Sequence, residues 1–538
     1  MNPKCTILSK MKIAFFVLHK VSLPVFNAIK ARQLNFTLTQ LPMSIIIGAD
    51  IGTSNIKVIA FKNDKEVLLS ETASCTTIQP SSEKMEQDPE LILQSVNSLL
   101  KKVLSQLEGK PVTGICFSTA MHSIIAIDDH NKPLTNAILW GDTRSMRQCN
   151  RLKENGMAEK LYRQTGVPLH PALPLCKIMW IKENEPGIFN RAHKFISLKE
   201  YFFFQWFEKY IIDHSIAGAT GMQDIHRLQW SGAALQAAGI REEQLSRIVP
   251  VTHTETQLTG SYRKYFGIEN IPFIIGSSDG CLANTGSGVF SADEAALTIG
   301  TSGAVRTTIP APALNKEPTL FCYPLLEDVF IKGGAVNNGG NVLSWFAGNF
   351  MNQKLSSESD YALLVDQAHT VDAGANGLLF LPYLQGERAP IWDAAARGVF
   401  FGMNNLHCQP HFVRATLEGI NYALYDVFCE LTKDHDPVKT IYASGGFVQS
   451  APWVQMVSDI FNKEVVISNQ ADASATGAAL LGWYATGASK SFIPLSSSLN
   501  KGKTFYPNKE KHTTYMRQFA IFRSLYLALE KEFPRLHQ

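Results

Sequence analysis

The chain has 538 residues, of which 45% are hydrophobic and 18% are charged, and its formal net charge is +3. This length exceeds what one ordinary hydrophobic core can organise and predicts two large domains, while the lack of a dense Lys/Arg block argues against a nucleic-acid surface. The nine cysteines are scattered singly without a CxxC pair, which argues against a zinc site or a disulfide framework and is typical of reduced cytoplasmic thiols.

The first 43 residues differ from the rest of the chain. Their apolar run "IAFFVL" is too short to span a bilayer, and a signal peptide needs a longer apolar core and a clean cleavage site. We predict that residues 1–43 are an extension that is disordered or comes from a mis-assigned start, with Met43 as the natural start. A cytoplasmic location without membrane binding is expected.

An alternation of strands and helices begins after Met43. "SIIIGAD" and "NIKVIAF" are predicted as a strand hairpin, "EVLLSETAS" as a third strand and "VTGICFS" as a fourth. Between the last two, "MEQDPELILQSVNSLLKKVLSQL" is predicted as a helix capped by Asp88, with Pro89 in its first turn. Its predicted apolar face consists of Leu91, Val96, Leu99, Leu100 and Val103.

A similar pattern returns after a helix-rich middle region at about 145–260. "PFIIGSSDG" is a predicted strand followed by a helix of small residues, and "EAALTIG" and "AVRTTI" then form a second hairpin. "TIYASGG", a helix opened by Ser450, the strand "KEVVIS" and the helix "ASATGAALLGWYATG" complete this half. The predicted domains are therefore 44–291 and 292–490, followed by a helical tail at 491–538.

The tetrapeptide Ile-Gly-Thr-Ser occurs twice, in "ADIGTSNIK" (Ala49–Lys57) and in "LTIGTSGAVR" (Leu297–Arg306). Such a turn between two strands exposes backbone N–H groups and hydroxyls, and its glycine allows close approach, so it can hold phosphate oxygens. Since each copy opens one α/β half, the sequence predicts a duplicated fold that grips a phosphate chain. A carboxylate beside a polyphosphate requires a cation, so Asp50 is predicted to hold Mg²⁺ through water.

Five stretches in the right order point to a known family: "GADIGTSNIK", "SSDG", "TIGTSG", "GERAPIWDAAARGVFFG" and "ASGGFVQSAPWVQMVSDIF". From Ser44 to Gly487 the chain resembles the FGGY carbohydrate kinases of the actin, Hsp70 and sugar-kinase superfamily. The chain has neither a P-loop nor a protein-kinase glycine loop. The resemblance implies an α/β fold of duplicated actin-like (ribonuclease H-like) ATPase domains with a cleft between them.

The branch of the family that phosphorylates gluconate is the most similar, through "STAMHSIIAID", "ILWGDTRS" and "GGAVNNGGN". The resemblance therefore implies ATP-dependent phosphorylation of D-gluconate to 6-phospho-D-gluconate, with ATP and Mg²⁺ as cofactors and a homodimer as an option. One alternative is another FGGY substrate such as xylulose, ribulose or glycerol. A second is an actin- or Hsp70-like ATPase without a sugar, which would leave Asp279, "AMHS" and "WGDTR" unexplained.

The resemblance also implies the roles of individual residues. Asp279 ends a strand before a glycine and is expected to be the catalytic base. The expected substrate-binding residues are Met121, His122, Trp140, Asp142, Arg144, Lys177 and Gly280. The expected nucleotide-binding residues are Thr53, Ser54, Asn55, Lys57, Gly300, Thr301, Gly303, Gly340, Gly445, Gly446 and Ser450.

Two questions about these residues stay open at the level of sequence. Arg144 either touches the substrate or braces Asp142, and the gluconate carboxylate could be held by Arg144, His122 or Lys177. The segment "GERAPIWDAAARG" is interpreted as a structural ion-pair turn at the domain seam, made by Glu387, Arg388, Asp393 and Arg397.

Overall fold

A computed structural model describes residues 44–62, 66–355, 357–434, 437–468, 472–492 and 501–537. The predicted N-terminal extension lies outside these residues.

The N-terminal half contains short strands and helices in alternation. Its strands are β1 (Ile45–Ile51), β2 (Asn55–Lys62), β3 (Glu66–Ser74), β4 (Ile78–Ser81), β5 (Lys84–Gln87), β6 (Val112–Thr119), β7 (Ile125–Ile127), β8 (Ala137–Ile138), β9 (Lys194–Ile196), β10 (Ile211–Asp213), β11 (Gln223–Asp224), β12 (Gln229–Trp230), β13 (Arg247–Val249), β14 (Thr254–Glu255) and β15 (Phe273–Ser278). Its helices are α1 (Pro89–Gln106), α2 (Met146–Glu154), α3 (Met157–Thr165), α4 (Pro174–Asn184), α5 (Pro186–Arg191), α6 (Leu198–Phe207), α7 (His214–Ala219), α8 (Gly232–Ala238), α9 (Gly260–Phe266) and α10 (Asp279–Gly286).

The C-terminal half also alternates strands and helices. Its strands are β16 (Glu294–Ile299), β17 (Gly303–Ile309), β18 (Phe321–Leu326), β19 (Val329–Val336), β20 (Leu379–Leu381), β21 (Val399–Phe401), β22 (Thr440–Ser444), β23 (Glu464–Ser468) and β24 (Lys501–Phe505). Its helices are α11 (Gly340–Phe350), α12 (Glu358–Ala368), α13 (Gln409–Leu431), α14 (Ala451–Phe461), α15 (Ala473–Ala485) and α16 (Lys509–Leu529).

Each half contains one large sheet, and the two sheets have the same plan. The first has the order β14-β15-β6-β1-β2-β3, and the second has the order β18-β19-β17-β16-β22-β23-β24. In the first, β1 is antiparallel to β2, β2 is antiparallel to β3, and β1, β6 and β15 are parallel. In the second, β16, β17, β19, β22 and β23 repeat these directions. The predicted duplicated α/β fold is therefore confirmed.

Helix α1 shows how far the apolar pattern was informative. Asp88 caps the helix by accepting hydrogen bonds from the backbone N–H groups of Glu90 and Leu91, as predicted. Leu91 itself is 54% exposed, so its assignment to the apolar face is wrong. The other four predicted residues, Val96, Leu99, Leu100 and Val103, are buried together with Ile92 and Leu93, so only the first position of the predicted face was misplaced.

Helix α15 belongs to the C-terminal half in sequence but packs with the N-terminal half. Its residues share a buried apolar cluster with Ile46 of β1 and Leu282 of α10. A Cβ atom at Gly477 would lie 2.1 Å from the carbonyl oxygen of Leu282, and one at Gly286 would lie 1.9 Å from that of Ala473. Only glycine allows the two helices to approach this closely.

The segment predicted as a helical tail does contain helix α16, but it also contributes a strand. β24 pairs with β23 at the edge of the second sheet, and Tyr515, Phe519 and Phe522 of α16 are buried in the core of the C-terminal half. This segment is therefore an integral part of that half. Among the described helices, none combines the length and the apolar character needed to cross a membrane.

Candidate functional site

Two cavities meet at the second glycine turn. The first cavity has a volume of 310 Å³, and its walls include Thr53, Ser54, Met121, His122, Trp140, His170, Asp279, Gly280, Gly303, Arg306, Tyr323, Arg388 and Trp392. The second cavity has a volume of 500 Å³, and its walls include Asn341, Ser344, Tyr361, Ala362, Val365, Gly340, Gly446, Phe447, Ser450 and Trp453. Gly300 and Thr301 line both, so a ligand that fills the second cavity could extend into the first.

Asp279 stands at the end of β15, where a glycine bends the strand. Gly276 has φ +69°, and a Cβ atom there would lie 1.8 Å from the carbonyl oxygen of Phe117. The pairing of β15 with β6 is irregular at this point. Oδ1 of Asp279 accepts a hydrogen bond of 2.7 Å from the backbone N–H of Gly280. Burial raises the pKa of this carboxyl, and Arg306 opposes that rise.

A buried ion pair supports this strand end from behind. Nζ of Lys199 lies 2.8 Å from Oδ2 of Asp213 and 2.9 Å from the carbonyl oxygen of Ser277. Asp213 also orients Ser215, whose Oγ accepts hydrogen bonds of 2.7 Å from Oγ of Ser277 and from the backbone N–H of Ser278. The network fixes the backbone immediately before Asp279. Sequence reasoning missed it, because isolated Lys and Asp residues give no signal until the fold brings them together.

His122 adopts a left-handed backbone with φ +68° at the wall of the first cavity. Its Nδ1 lies 2.7 Å from the carbonyl oxygen of Ala219, so Nδ1 carries the hydrogen and Nε2 has a free lone pair. Burial, together with Lys177, lowers the pKa of the imidazole to about 3. His122 is therefore neutral and is not the cation that a carboxylate requires.

Lys177 is fully buried and does not line the cavity. Its ammonium donates to the carbonyl oxygens of His122 and Leu139 at 2.7 Å and to that of Ile138 at 3.3 Å. Burial lowers its pKa to about 7. The structure contradicts the prediction that Lys177 contacts the substrate, because its N–H groups are already used to hold the backbone beneath His122 and Trp140.

The "WGDTR" motif divides into one cavity residue and a brace. Trp140 lines the first cavity, and its Nε1 donates to Oγ1 of Thr53 at 3.0 Å. Asp142 is fully buried and accepts hydrogen bonds from the backbone N–H of Met85 and from Nε of Arg144. Arg144 also pairs with Glu86 at 2.5 Å. Arg144 therefore braces Asp142. Both residues were predicted to bind the substrate, but neither lines the first cavity.

The "GERAPIWDAAARG" segment is not an ion-pair turn. Glu387 accepts hydrogen bonds from the backbone N–H groups of Asn337 and Arg388 and from the side-chain amide of Asn338. Arg397 donates to two backbone carbonyl oxygens, and Asp393 accepts from Tyr526. Arg388 lines the first cavity and lies 5.1 Å above the ring of Trp140. The interpretation of this segment as an ion-pair turn was wrong, and because of it Arg388 was not predicted as a residue of the candidate site.

Two other wall residues of the first cavity were not predicted. Arg306 is the last residue of the motif "LTIGTSGAVR" and was not assigned a role. Its position after the second glycine turn could have indicated that it lies at the site. His170 packs edge-on against Trp392 at 5.6 Å between ring centroids. Its Nδ1 accepts a hydrogen bond of 3.1 Å from the backbone N–H of Ala172. The imidazole is therefore neutral and carries its hydrogen on Nε2.

The first glycine turn places only some of its predicted residues at the cavity. Thr53 and Ser54 line the first cavity, whereas Asn55 is exposed and its carbonyl oxygen closes the turn by accepting the N–H of Gly52. Nζ of Lys57 forms an ion pair of 2.6 Å with Asp472. Lys57 is therefore engaged by a carboxylate at the start of α15, a partner that the sequence did not indicate.

Asp50 is the residue predicted to hold Mg²⁺. Its Oδ1 accepts a hydrogen bond of 2.6 Å from Oγ of Ser118, and burial, Asp472 and Asp279 raise its pKa well above the ordinary value. Within the described residues no group of three or more His, Cys, Asp or Glu could hold a metal ion. Mg²⁺ commonly uses one or two carboxylates together with water and phosphate oxygens. Asp50, a half-buried carboxylate, could supply one such ligand.

The second cavity contains five of the residues predicted to bind nucleotide: Gly300, Thr301, Gly340, Gly446 and Ser450. The backbone N–H of Gly340 donates to the carbonyl oxygen of Gly300 at 2.7 Å, which joins α11 to the second turn. Gly303 lines the first cavity instead. Gly445 has φ +98°, and a Cβ atom there would lie 2.4 Å from the carbonyl oxygen of Ile299, so it shapes the turn.

Comparison with known proteins agrees with this architecture. Residues 45–286 and 295–486 match the N-terminal and C-terminal domains of the FGGY family of carbohydrate kinases. A gluconokinase of Bacillus subtilis (strain 168) is 40% identical over 500 residues, 92% of this chain and 98% of that protein. Crystal structures of a gluconate kinase and of a ligand-bound xylulose kinase, both from Lactobacillus acidophilus, each give a TM-score of 0.87 at 33% identity and cover 92% of this chain and 100% of theirs. The chain belongs to the FGGY family of carbohydrate kinases.

Proposed function

We propose that this protein transfers the γ-phosphoryl group of ATP to the terminal hydroxyl of D-gluconate and forms 6-phospho-D-gluconate. One observation carries the proposal: Asp279 lines a cavity that shares the Gly300–Thr301 turn with a second cavity of 500 Å³. A nucleotide in the second cavity would then direct its phosphates towards Asp279. The choice of gluconate is supported by the 40% identity to a gluconokinase.

Asp279 acts as the general base in this mechanism. Its Oδ1 is held by the N–H of Gly280, which leaves Oδ2 to accept the proton from the acceptor hydroxyl as the oxygen attacks phosphorus. The bulge at Gly276 and the buried Lys199–Asp213 pair keep the carboxylate in place. Such rigidity matters because phosphoryl transfer depends mainly on positioning and charge stabilisation.

The phosphate chain lies along the two glycine turns in this proposal. Thr53 and Ser54 approach from the first turn, and Gly300 and Thr301 from the second. Asp50 would hold Mg²⁺ through water, and the ion when bound neutralises phosphate charge. Lys57 contributes through its pair with Asp472, which keeps that carboxylate from facing the phosphates without a counter-charge.

His122 and His170 form hydrogen bonds with hydroxyl groups of the acceptor in this proposal. Nε2 of His122 is a hydrogen-bond acceptor and Nε2–H of His170 is a donor, as follows from the partners of their Nδ1 atoms. Trp140 and Trp392 offer apolar faces to the carbon chain. In the second cavity, Phe447, Trp453, Ala362 and Val365 provide apolar walls suited to adenine.

The test measures formation of ADP from ATP and Mg²⁺ with gluconate, other aldonates, xylulose, ribulose or glycerol as acceptor. We expect strong preference for gluconate and a product phosphorylated at the terminal hydroxyl. Preference for xylulose, the substrate named for one structural relative, would retain the mechanism and overturn the substrate. ATP hydrolysis that no sugar stimulates would favour the actin- or Hsp70-like alternative. The cytoplasmic location and the homodimer stay predictions.

A further inference from the structure

Two guanidinium groups in the first cavity lack the partners that buried cations normally have. Nη1 of Arg306 and Nε of Arg388 are buried, and neither has a hydrogen-bond partner within the described residues. Nη2 of Arg388 donates a long hydrogen bond of 3.3 Å to the carbonyl oxygen of Val336. A buried cationic N–H group without an acceptor is costly, so this arrangement calls for an anion in the cavity.

The titratable groups on the cavity wall do not cancel these charges. His122 is neutral because burial lowers its pKa to about 3, His170 is neutral because its Nδ1 accepts a hydrogen bond, and burial raises the pKa of Tyr323 above its ordinary value. Asp279 supplies one negative charge when ionised, whereas the two arginines supply two positive charges. The wall therefore has a surplus of at least one positive charge before any ligand enters.

Charged groups just outside the wall are engaged elsewhere. The carboxylate of Glu387 is held by Asn337 and Asn338, and burial raises its pKa to about 7, so it is only partly ionised near neutral pH. Asp472 is paired with Lys57, and Asp213 is paired with Lys199. None of these carboxylates lines the first cavity, so the surplus is left for the ligand to offset.

We propose that the two arginines make the first cavity selective for an anionic, open-chain polyol over a neutral sugar, with Arg388 binding the carboxylate at the far end of the acceptor and Arg306 adding to the surplus charge that this anion offsets. This inference rests on the proposed function and deepens it by assigning specificity to two residues. Arg306 lies beside the reacting end, since two of its nitrogens would be 3.5 Å from a Cβ atom at Gly280. Arg388 lies over Trp140. Its guanidinium plane offers the forked N–H donors that suit a carboxylate.

A monoanion would balance the wall, whereas a neutral ketose would leave the surplus charge buried and unpaired. The same groups would also attract the transferring phosphoryl group, and this second use makes a different prediction. A role confined to the phosphoryl group would affect every acceptor equally. A role in binding the acceptor carboxylate must appear as a difference between charged and uncharged acceptors.

The experiment compares D-gluconate with D-gluconamide, which has the same carbon chain and hydroxyls but no charge. Binding of each is measured by calorimetry on the full chain without nucleotide, so that no phosphate competes for the arginines. We expect the wild-type protein to bind gluconate at least about tenfold more tightly than gluconamide. Equal affinity for the two ligands would overturn the proposal without any mutation.

Substitutions then locate the effect. Arg388→Gln should reduce the gluconate-to-gluconamide affinity ratio towards one, Arg306→Gln should reduce it less because only surplus charge is lost, and Arg388→Lys should keep part of it because the charge remains. Arg397→Gln is the matched control, since Arg397 bonds only backbone carbonyls and does not line the cavity. An unchanged ratio in both glutamine variants would overturn the assignment of these residues. If the wild-type protein phosphorylates xylulose and not gluconate, the proposed function itself fails, which is a distinct result.

Discussion

The two glycine turns share a tetrapeptide and a hairpin but differ in the side chain that precedes them. In both, the glycine N–H donates to a carbonyl oxygen within the turn, from Gly52 to Asn55 and from Gly300 to Ser302. The first turn follows Asp50, a half-buried acid with a raised pKa. The matching residue of the second is Thr298, whose hydroxyl lies 2.9 Å from Oγ of Ser444. The two turns share a backbone plan, and in the proposed function this one side chain separates a metal-binding role from a nucleotide-binding role.

The largest expected effect follows from the position of the acid at the end of β15. Asp279→Asn should reduce turnover about a thousandfold because the amide cannot accept the hydroxyl proton, and it should leave the fold intact. Coupled detection of ADP formation checks the rate, and circular dichroism checks the fold. Asp129→Asn, at a carboxylate that is 78% exposed, is the matched control and should retain full activity. A folded Asp279→Asn variant with near-normal turnover would remove Asp279 from the mechanism.

Substitutions at Asp50 and Thr298 test whether the two turns have different roles. Asp50→Asn should lower turnover by roughly ten- to a hundredfold and raise the Mg²⁺ concentration needed for half-maximal rate, because a group that orients the ion is lost. Thr298→Val changes the matching residue of the other turn and should leave the Mg²⁺ requirement unchanged. Titrations of both variants with MgCl₂ measure this difference. The same shift in both variants would show that the turns are equivalent.

The pH dependence of the two cavities should also differ. Asp50 and Asp279 must be ionised to act, and burial raises the pKa of both. Activity should therefore rise with pH through these raised values, and on acidification it should fall at higher pH than for an ordinary carboxyl. The described wall residues of the second cavity include no carboxyl, thiol or imidazole, so adenosine affinity should stay constant between about pH 5 and 8. A parallel decline of kcat/KM and adenosine affinity would contradict this separation.

The smallest expected effect concerns two serines that cap helices, one following β22 in the second sheet and one following β15 in the first. Ser450 caps α14 by accepting from the N–H of Trp453, and Ser278 caps α10 by accepting from that of Cys281. Each Ser→Ala substitution should lower the free energy of unfolding by about 1 kcal/mol, measured by urea denaturation. Only Ser278→Ala should also lower turnover, because Asp279 is the next residue. An increase in the KM for ATP beyond roughly threefold in Ser450→Ala would assign Ser450 a nucleotide contact.

Local patterns predicted the elements of the fold but not every partner. The hairpins, the cap at Asp88 and the repeated turn were visible because turn and capping residues act over a few positions. β24 was missed because "KGKTF" has no apolar run, and lysines are typical of an edge strand. The place of α15 on the first sheet could not be inferred, since a contact between distant helices leaves no local periodicity.

The candidate site shows the same limit at the level of single residues. Met121, His122, Trp140, Asp279 and the glycine turns were found because each stands in a short motif. Lys177, Asp142 and Arg144 stand in motifs too, but their polar atoms point to backbone carbonyls or to each other. Arg388 was mistaken for an ion-pair residue because the charges around it in the sequence alternate. Which charged neighbour faces a cavity depends on how the chain turns, and sequence order alone does not determine that.

The location of α15 on the first sheet has a consequence for synthesis of the protein. The face of β1 that this helix covers, near Gly48 and Ile46, is complete only after residue 485 has been made. At about 5 to 20 residues per second, the ribosome needs roughly 10 to 40 s to travel from α10 to α15. During that interval the N-terminal half exposes an apolar strip, and we expect a fragment ending at residue 291 to be poorly soluble on its own.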